Sequence, residues 1–274
     1  MNSIVLRLAK LGISIVFFAA DRFSNVFCRL FGRKVHGSFV VLCYHSVNPQ
    51  LRRRFAQQMD DVLRFTKPLR AEDSPALNNG TRYVAVTLDD GFRSIISNAL
   101  PVLRERKIPA TVFVPSGNLG KPPAWLSQSS HQDSGEFVMT AEELLHVNED
   151  PLISIGSHCV SHPNLLSLSP ESAATEILES KRDLETILKQ EITLLAFPYG
   201  AFSSSHTALA KEGGYKRAFS GLADLTDNVS SYVMGRVRVD PKDWTIEFRL
   251  KLLDCYRWHP LASSLKRRIK SFVS

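Results

Sequence analysis

Short apolar runs alternate with longer amphipathic stretches along most of this chain. Runs rich in β-branched and aromatic residues occur at 38–44 (SFVVLCY), 83–88 (YVAVTL), 110–114 (ATVFV), 152–156 (LISIG) and 192–197 (ITLLAF). They are short and bounded by turn residues, which is the pattern of strands buried on both faces. Between them, Phe55, Met59, Val62 and Leu63 fall near helical spacing within 52–65, as do Ile95, Ile96, Leu100 and Leu103, where Pro101 predicts a bend. Thr140-Ala141-Glu142-Glu143 has capping-box spacing, and Ser169-Pro170-Glu171 places an N-cap before a proline at the first position of a helix running to about residue 189. A further helix over 207–212 stops at Gly213-Gly214, and another is predicted over 245–255. Shorter strands are predicted at 217–220 and 235–239, and Asn78-Asn79-Gly80 marks a turn.

Strand and helix alternate without a 20–50-residue repeat and without a linker inside 37–255. This predicts an α/β fold, a parallel sheet with crossover helices. Three segments result: an N-terminal stretch at 1–36, one large domain at 37–255, and a tail at 256–274.

The N-terminal stretch differs in character. Its uncharged apolar core, 11–20, is ten residues long, short of the ~20 that a membrane-spanning helix needs. Arg7 and Lys10 with Ala19-Ala20 resemble parts of a signal peptide, but Phe18 breaks the small-x-small cleavage pattern. An interfacial helix suits it better, with Phe17, Phe18, Phe23, Phe27, Leu30 and Phe31 as apolar bulk and Arg7, Lys10, Arg22, Arg29, Arg33 and Lys34 towards head groups. The alternative is a helix that packs on the domain itself. The expected location is therefore peripheral on a membrane, at its cytoplasmic side, with the periplasm or cell exterior as the other option.

Composition adds limits. With 44% apolar and 22% charged residues over 274 positions the chain can bury a sizeable core. Its net charge of +7 gathers near the ends, in 29–34 and in Lys266-Arg267-Arg268 with Lys270, and no interleaved basic and aromatic motif points to nucleic acid. Cys28, Cys43, Cys159 and Cys255 are widely spaced, so a disulfide framework is not expected.

Chemistry-bearing residues collect just after the predicted strands: His45, Asp89-Asp90-Gly91, His158 with His162, and Pro198-Tyr199-Gly200. In an α/β barrel these strand ends meet at one mouth. Asp-Asp-Gly alone is also a common solvated turn. Adjacent carboxylates at a strand end can nevertheless divide their roles, because successive side chains point to opposite faces. His158 and His162, whose spacing aims both rings to one side where the backbone is helical or tightly turned, would with one carboxylate make a two-His, one-Asp metal site of the kind zinc accepts with an open position.

The joint pattern resembles the polysaccharide deacetylase family, the NodB-homology domain of carbohydrate esterase family 4, over about 37–255. Thr87-Leu88-Asp89-Asp90-Gly91 is similar to the family's T-F-D-D-G motif, with Leu88 for Phe; Ser157-His158 through His162-Pro163 is similar to its histidine motif; Phe197-Pro198-Tyr199-Gly200 is similar to its third motif. The resemblance implies a distorted (β/α)7-8 barrel that removes N-acetyl groups from an amino-sugar glycan. It further implies Asp89 as general base, Asp90, His158 and His162 as ligands of a divalent metal, most simply Zn2+, and Pro198 and Tyr199 at the substrate, the Tyr199 backbone N–H serving the oxyanion.

Two departures matter. The general acid of many members lies in a late L-H motif, whereas here only His259 follows residue 240; a subgroup active on poly-N-acetylglucosamine has an early Tyr-His, matched by Tyr44-His45, so His45 is the expected acid. The family's third-motif arginine is missing; Arg236 and Arg238 are considered as replacements and neither is assigned the role, because a basic residue on a short strand is usually solvated. Asp240 and Trp244 resemble the fourth motif weakly, and Trp244 equally suits a core. Cys159 reads as a packing residue. The rival functions are a non-catalytic glycan-binding protein on the same fold and a deacylase of small non-sugar amides.

Overall fold

The computed structural model describes residues 3–35, 37–78, 80–126, 133, 135–221 and 230–258. His259, the basic tail beyond Trp258, Asn79 of the predicted turn and residues 127–132 and 134 lie outside the described residues. The helices are α1 (Ser3–Leu30), α2 (Arg52–Phe65), α3 (Leu100–Arg106), α4 (Ala141–Asn148), α5 (Pro170–Leu188), α6 (Ser204–Glu212) and α7 (Thr245–Leu252). The strands are β1 (Ser38–Tyr44), β2 (Lys67–Pro68), β3 (Arg82–Leu88), β4 (Ala110–Val114), β5 (Ile153–Ser157), β6 (Leu194–Ala196), β7 (Arg217–Phe219), β8 (Val233–Met234) and β9 (Val237–Arg238).

All strand pairs are parallel, in the order β8-β7-β6-β5-β4-β3-β1-β9, with β2 added beside β3. The sheet curls into a half-barrel whose edge strands, β8 and β9, do not pair with one another. Gly235-Arg236 joins them across that seam. The expectation of a distorted barrel is met in this open form.

Strand parity divides the side chains. Val41, Ala85, Phe113, Leu194, Ala196, Phe219 and Met234 pack together inside the curl, while Val40, Leu42, Val84, Val86, Leu88, Val112 and Val114 pack in a second cluster with residues of the helices. Burying both faces explains why the strands read as unbroken apolar runs. Gly156 on β5 is required by this packing, since a Cβ there would overlap the Phe113 ring. The N-terminal end of the curl is plugged by the segment after β2: Ala71 joins the interior cluster, and the buried Arg217 donates to the carbonyls of Ala71 and Asp73 at 3.0 and 2.8 Å.

Helix signals fare well. Thr140 and Glu143 form the reciprocal capping box of α4, and Ser169 caps α5 through the Ser172 N–H at 3.2 Å. Pro101 acts differently from a simple bend: 95–99 forms a π-helical turn before α3, which absorbs the N–H the proline cannot donate. Helix α6 begins earlier than predicted because Ser203 and His206 make their own capping box.

Helix α1 is the 28-residue N-terminal element. Gly32, at φ +63°, ends it in a Schellman turn in which the Arg33 N–H reaches the Cys28 carbonyl at 2.7 Å. Arg7, expected to face head groups, is instead ion-paired to Glu247 at 2.6 Å and stacked 4.3 Å over Trp244. Phe17 and Phe18 also turn inward, onto Leu250, Cys255 and Tyr256. No helix among the described residues is long and apolar enough to cross a membrane.

Candidate functional site

Asp89 and Asp90 leave the C-terminal end of β3. The parity that turns Ala85 inward also turns Thr87 and Asp89 inward, and in β1 it does the same for Cys43 and His45. The Asp89 N–H donates to the Tyr44 carbonyl at 2.9 Å, extending the β1–β3 pairing by one residue. Asp90 then takes φ +68°, a left-handed conformation that swings its carboxylate toward the next strands.

His158 follows β5, its N–H donating to the Val114 carbonyl at 3.0 Å. Cys159 and His162 both have positive φ, 62° and 60°, so the four-residue spacing is realised by a tight turn. Glu176 of α5 clamps that turn, accepting the Val160 and Ser161 N–H groups at 2.8 Å each and the Ser161 hydroxyl at 2.6 Å. Non-glycine residues with positive φ cluster where structure over-determines the backbone, commonly at functional sites. Tyr199, at φ 57°, is a fourth example at this mouth.

Three donors converge. The Asp90 Oδ1 atom lies 3.2 Å from His162 Nε2 and 3.7 Å from His158 Nε2. Bonds of about 2.0–2.2 Å to one tetrahedral ion place ligand atoms about 3.3–3.6 Å apart, so the set fits a metal with little adjustment. Asp90 Oδ1 is buried without a hydrogen-bond partner, an orphan of the kind a cation satisfies. The His158 Nδ1 atom lies 2.7 Å from the Ala196 carbonyl, which fixes it as the N–H and leaves the Nε2 lone pair facing the carboxylates. Burial lowers the His158 pKa to about 4, keeping the imidazole neutral.

Asp89 is treated differently from its neighbour. Its two oxygens receive Arg236 Nη1 at 2.6 Å and Nη2 at 2.7 Å, and both residues are nearly fully buried, at 2% and 4% exposure. Burial alone would raise the Asp89 pKa; the charge and hydrogen bonds of Arg236, with His158 and His45 nearby, override it and hold the carboxyl far below its usual range. The guanidinium lies 5.3 Å over Phe113 and 6.0 Å from Phe219, and also donates to the Ser220 carbonyl. Cys43 Sγ approaches Asp89 Oδ2 at 3.3 Å. The sequence-based objection to Arg236, that short strands leave arginines solvated, fails because this residue sits at the β8–β9 junction with its side chain inside the curl. The companion Arg238 is exposed, though it reaches the cavity rim.

A cavity of about 240 Å³ opens here, lined among others by His45, Asp89, Asp90, His158, His162 and Tyr199. A ring nitrogen of His45, the Cys43 sulfur and an Asp89 oxygen lie within 4.8 Å of one another. Pro198 is buried below the cavity and does not line it; the turn it starts presents Tyr199, which is 62% exposed. Trp125, from the loop after β4, stacks on the His162 ring with centroids 4.4 Å apart, and Tyr199 meets the same ring edge-on at 4.7 Å. Asp133 also lines the cavity and accepts the Ser46 hydroxyl. Trp244 and Asp240 take no part in the lining. Cys159 is a buried packing residue, its thiol pKa pushed up by burial. The arrangement can hold a cation, keep one carboxylate ionised beside it, and offer the His45 imidazole at the same mouth.

Residues 76–218 match the sequence pattern described as polysaccharide deacetylase. Relatives include YxkH, a candidate polysaccharide deacetylase of Bacillus subtilis (strain 168), 27% identical over 58% of this chain and 52% of that protein. Another is the poly-beta-1,6-N-acetyl-D-glucosamine N-deacetylase of Staphylococcus aureus (strain MSSA476), 28% identical over 58% of this chain and 54% of that protein. The chain thus spans about half the length of the curated relatives it matches. Among solved structures, IcaB from Ammonifex degensii is 27% identical and superposes with a TM-score of 0.66 over 79% of this chain and 99% of that one.

Proposed function

The chain belongs to the polysaccharide deacetylase family, and on that premise we propose that it hydrolyses N-acetyl groups on the amino sugars of a glycan, assisted by a bound divalent cation. One observation carries the reading: a carboxylate locked in its ionised form by Arg236 stands beside three buried donors suited to a metal. A glycan-binding protein would gain nothing from burying an arginine to keep Asp89 charged.

Asp90, His158 and His162 would hold the ion, and their two-nitrogen, one-oxygen set suits Zn2+. Such an ion polarises an amide carbonyl and acidifies bound water. Asp89 takes the proton of the attacking water as general base. Two of its roughly four lone-pair directions are filled by Arg236, which fixes the plane of the carboxylate and aims what remains. His45, with a ring nitrogen within 4.8 Å of an Asp89 oxygen at the same mouth, delivers a proton to the departing amine. The Tyr199 turn borders the position where the oxyanion develops, and its backbone N–H is the donor assigned to that charge. Trp125, braced on His162, supplies an aromatic wall for a sugar ring.

The finer substrate assignment is poly-β-1,6-N-acetylglucosamine or a close analogue, supported by the name of the Staphylococcus aureus relative. Acetate release from β-1,6-linked N-acetylglucosamine oligomers is expected to exceed that from β-1,4-linked ones. Equal rates, or release only from small acetamides, would remove the linkage assignment; no release from any amide would remove the activity.

A further inference from the structure

Helix α1 is amphipathic in the reverse of the usual sense. The residues turned toward the domain recur at alternating spacings of four and three: Arg7, Leu11, Ser14, Phe18, Asp21 and Asn25. Four of the six are polar, and three of these have partners on the domain. Arg7 pairs with Glu247 at 2.6 Å, Ser14 accepts the Trp258 indole N–H at 2.9 Å, and Asp21 takes both Arg257 nitrogens at 2.9 and 2.6 Å. Leu11 and Phe18 fill the gaps against Leu250 and Tyr256.

The opposite face repeats the same spacing with Val5, Gly12, Val16, Phe23, Phe27 and Leu30, and alanines between them. All of these are exposed, Val16 at 67%, Phe23 at 75% and Leu30 at 77%. At 1.5 Å per residue the stripe is about 38 Å long, far more contiguous apolar surface than a soluble face usually carries. Exposed charges beside it are all basic: Arg22, Arg29, Arg33 and Lys34. The helix has one acidic residue, Asp21, already committed to Arg257.

We propose that the outer face of α1 docks the protein on an anionic lipid surface, lying in the interface with the catalytic domain held on its polar side. A second copy of the chain is the poorer occupant, because pairing two such helices brings only basic flanks together. Anionic lipid supplies the missing countercharge and accepts the apolar stripe. Charged residues interrupt the helix on its other faces, so it is not long and apolar enough to span. This inference is independent of the catalytic reading.

Co-sedimentation of the full chain with phosphatidylcholine vesicles, with and without phosphatidylglycerol, tests it. Binding is expected to the anionic vesicles and to weaken with salt. Substituting Val16→Glu together with Phe23→Glu, both pointing away from the domain, is expected to weaken binding about tenfold or more with an unchanged thermal midpoint. Arg29→Gln with Arg33→Gln is expected to reduce binding to the anionic vesicles alone. Equal binding to both vesicle types overturns the anionic assignment. No binding overturns the proposal, and light scattering that shows a dimer dissolved by the Val16 and Phe23 changes assigns the face to a second copy instead.

Discussion

Arg236 and Asp89 form the pair on which the proposed chemistry turns. Removing one member of a buried ion pair strands the other and costs about 3–5 kcal/mol, and it releases the Asp89 carboxyl to the upward pull of burial. The acid limb of the pH–rate profile in Arg236→Gln is therefore expected to move to higher pH, with a drop in kcat. Arg236→Lys keeps the charge but not the two parallel hydrogen bonds, and an intermediate profile is expected. An unshifted acid limb in both variants would mean that Arg236 does not set the ionisation of the base.

At the scale of elements, the tight turn carrying both histidines depends on Glu176 from α5 and on Trp125 from the loop after β4. Glu176→Ala leaves the two turn N–H groups without their acceptor. Metal affinity, followed by titration calorimetry, is expected to fall by about 10- to 100-fold, the usual effect of removing an outer support. Trp125→Ala is expected to raise KM for oligomers more than it lowers kcat, since the indole lines the cavity without being one of the three donors. A change in kcat alone would assign Trp125 to bracing His162 instead.

These elements also show what the chain disclosed before folding. The strand ends were legible because both sheet faces are buried, so apolar runs stop abruptly where Asp89, His158 and Tyr199 begin. His45 stood out as the residue that follows the first strand and through the resemblance of Tyr44-His45 to an early Tyr-His motif. Arg236 was not taken up, because its environment is made by Phe113 and Phe219 from distant strands. The direction in which α1 turns its faces was hidden for a similar reason: the partners of its polar seam, Glu247 and Arg257, lie more than 230 positions away. Glu176 looked like any solvated residue of a helix.

The whole molecule couples this site to its stability. In the metal-free protein His158 resists protonation until about pH 4, against an ordinary value of 6.5. Above 6.5 it is neutral in both states; as pH falls from 6.5 toward 4 the unfolded chain binds a proton that the fold refuses. Stability is therefore expected to decline through that window, by about 3 kcal/mol at most from this group. Asp89 and Asp90, whose pKa values are lowered in the fold, extend the loss below their ordinary 3.8. Urea unfolding across pH checks this, and the decline should shrink in His158→Asn. Zinc is expected to raise the midpoint near neutral pH and to lose that effect as acid competes for the histidines.

The most direct test of the whole account is acetate release from N-acetylglucosamine oligomers by chelator-treated protein reconstituted with Zn2+, alongside Asp89→Asn. The native chain is expected to be inactive when stripped and to recover with the ion. Asp89→Asn is expected to bind the ion yet lose about 10²- to 10⁴-fold in rate. Full activity after chelation, or in Asp89→Asn, would contradict the roles assigned to the metal site and the base.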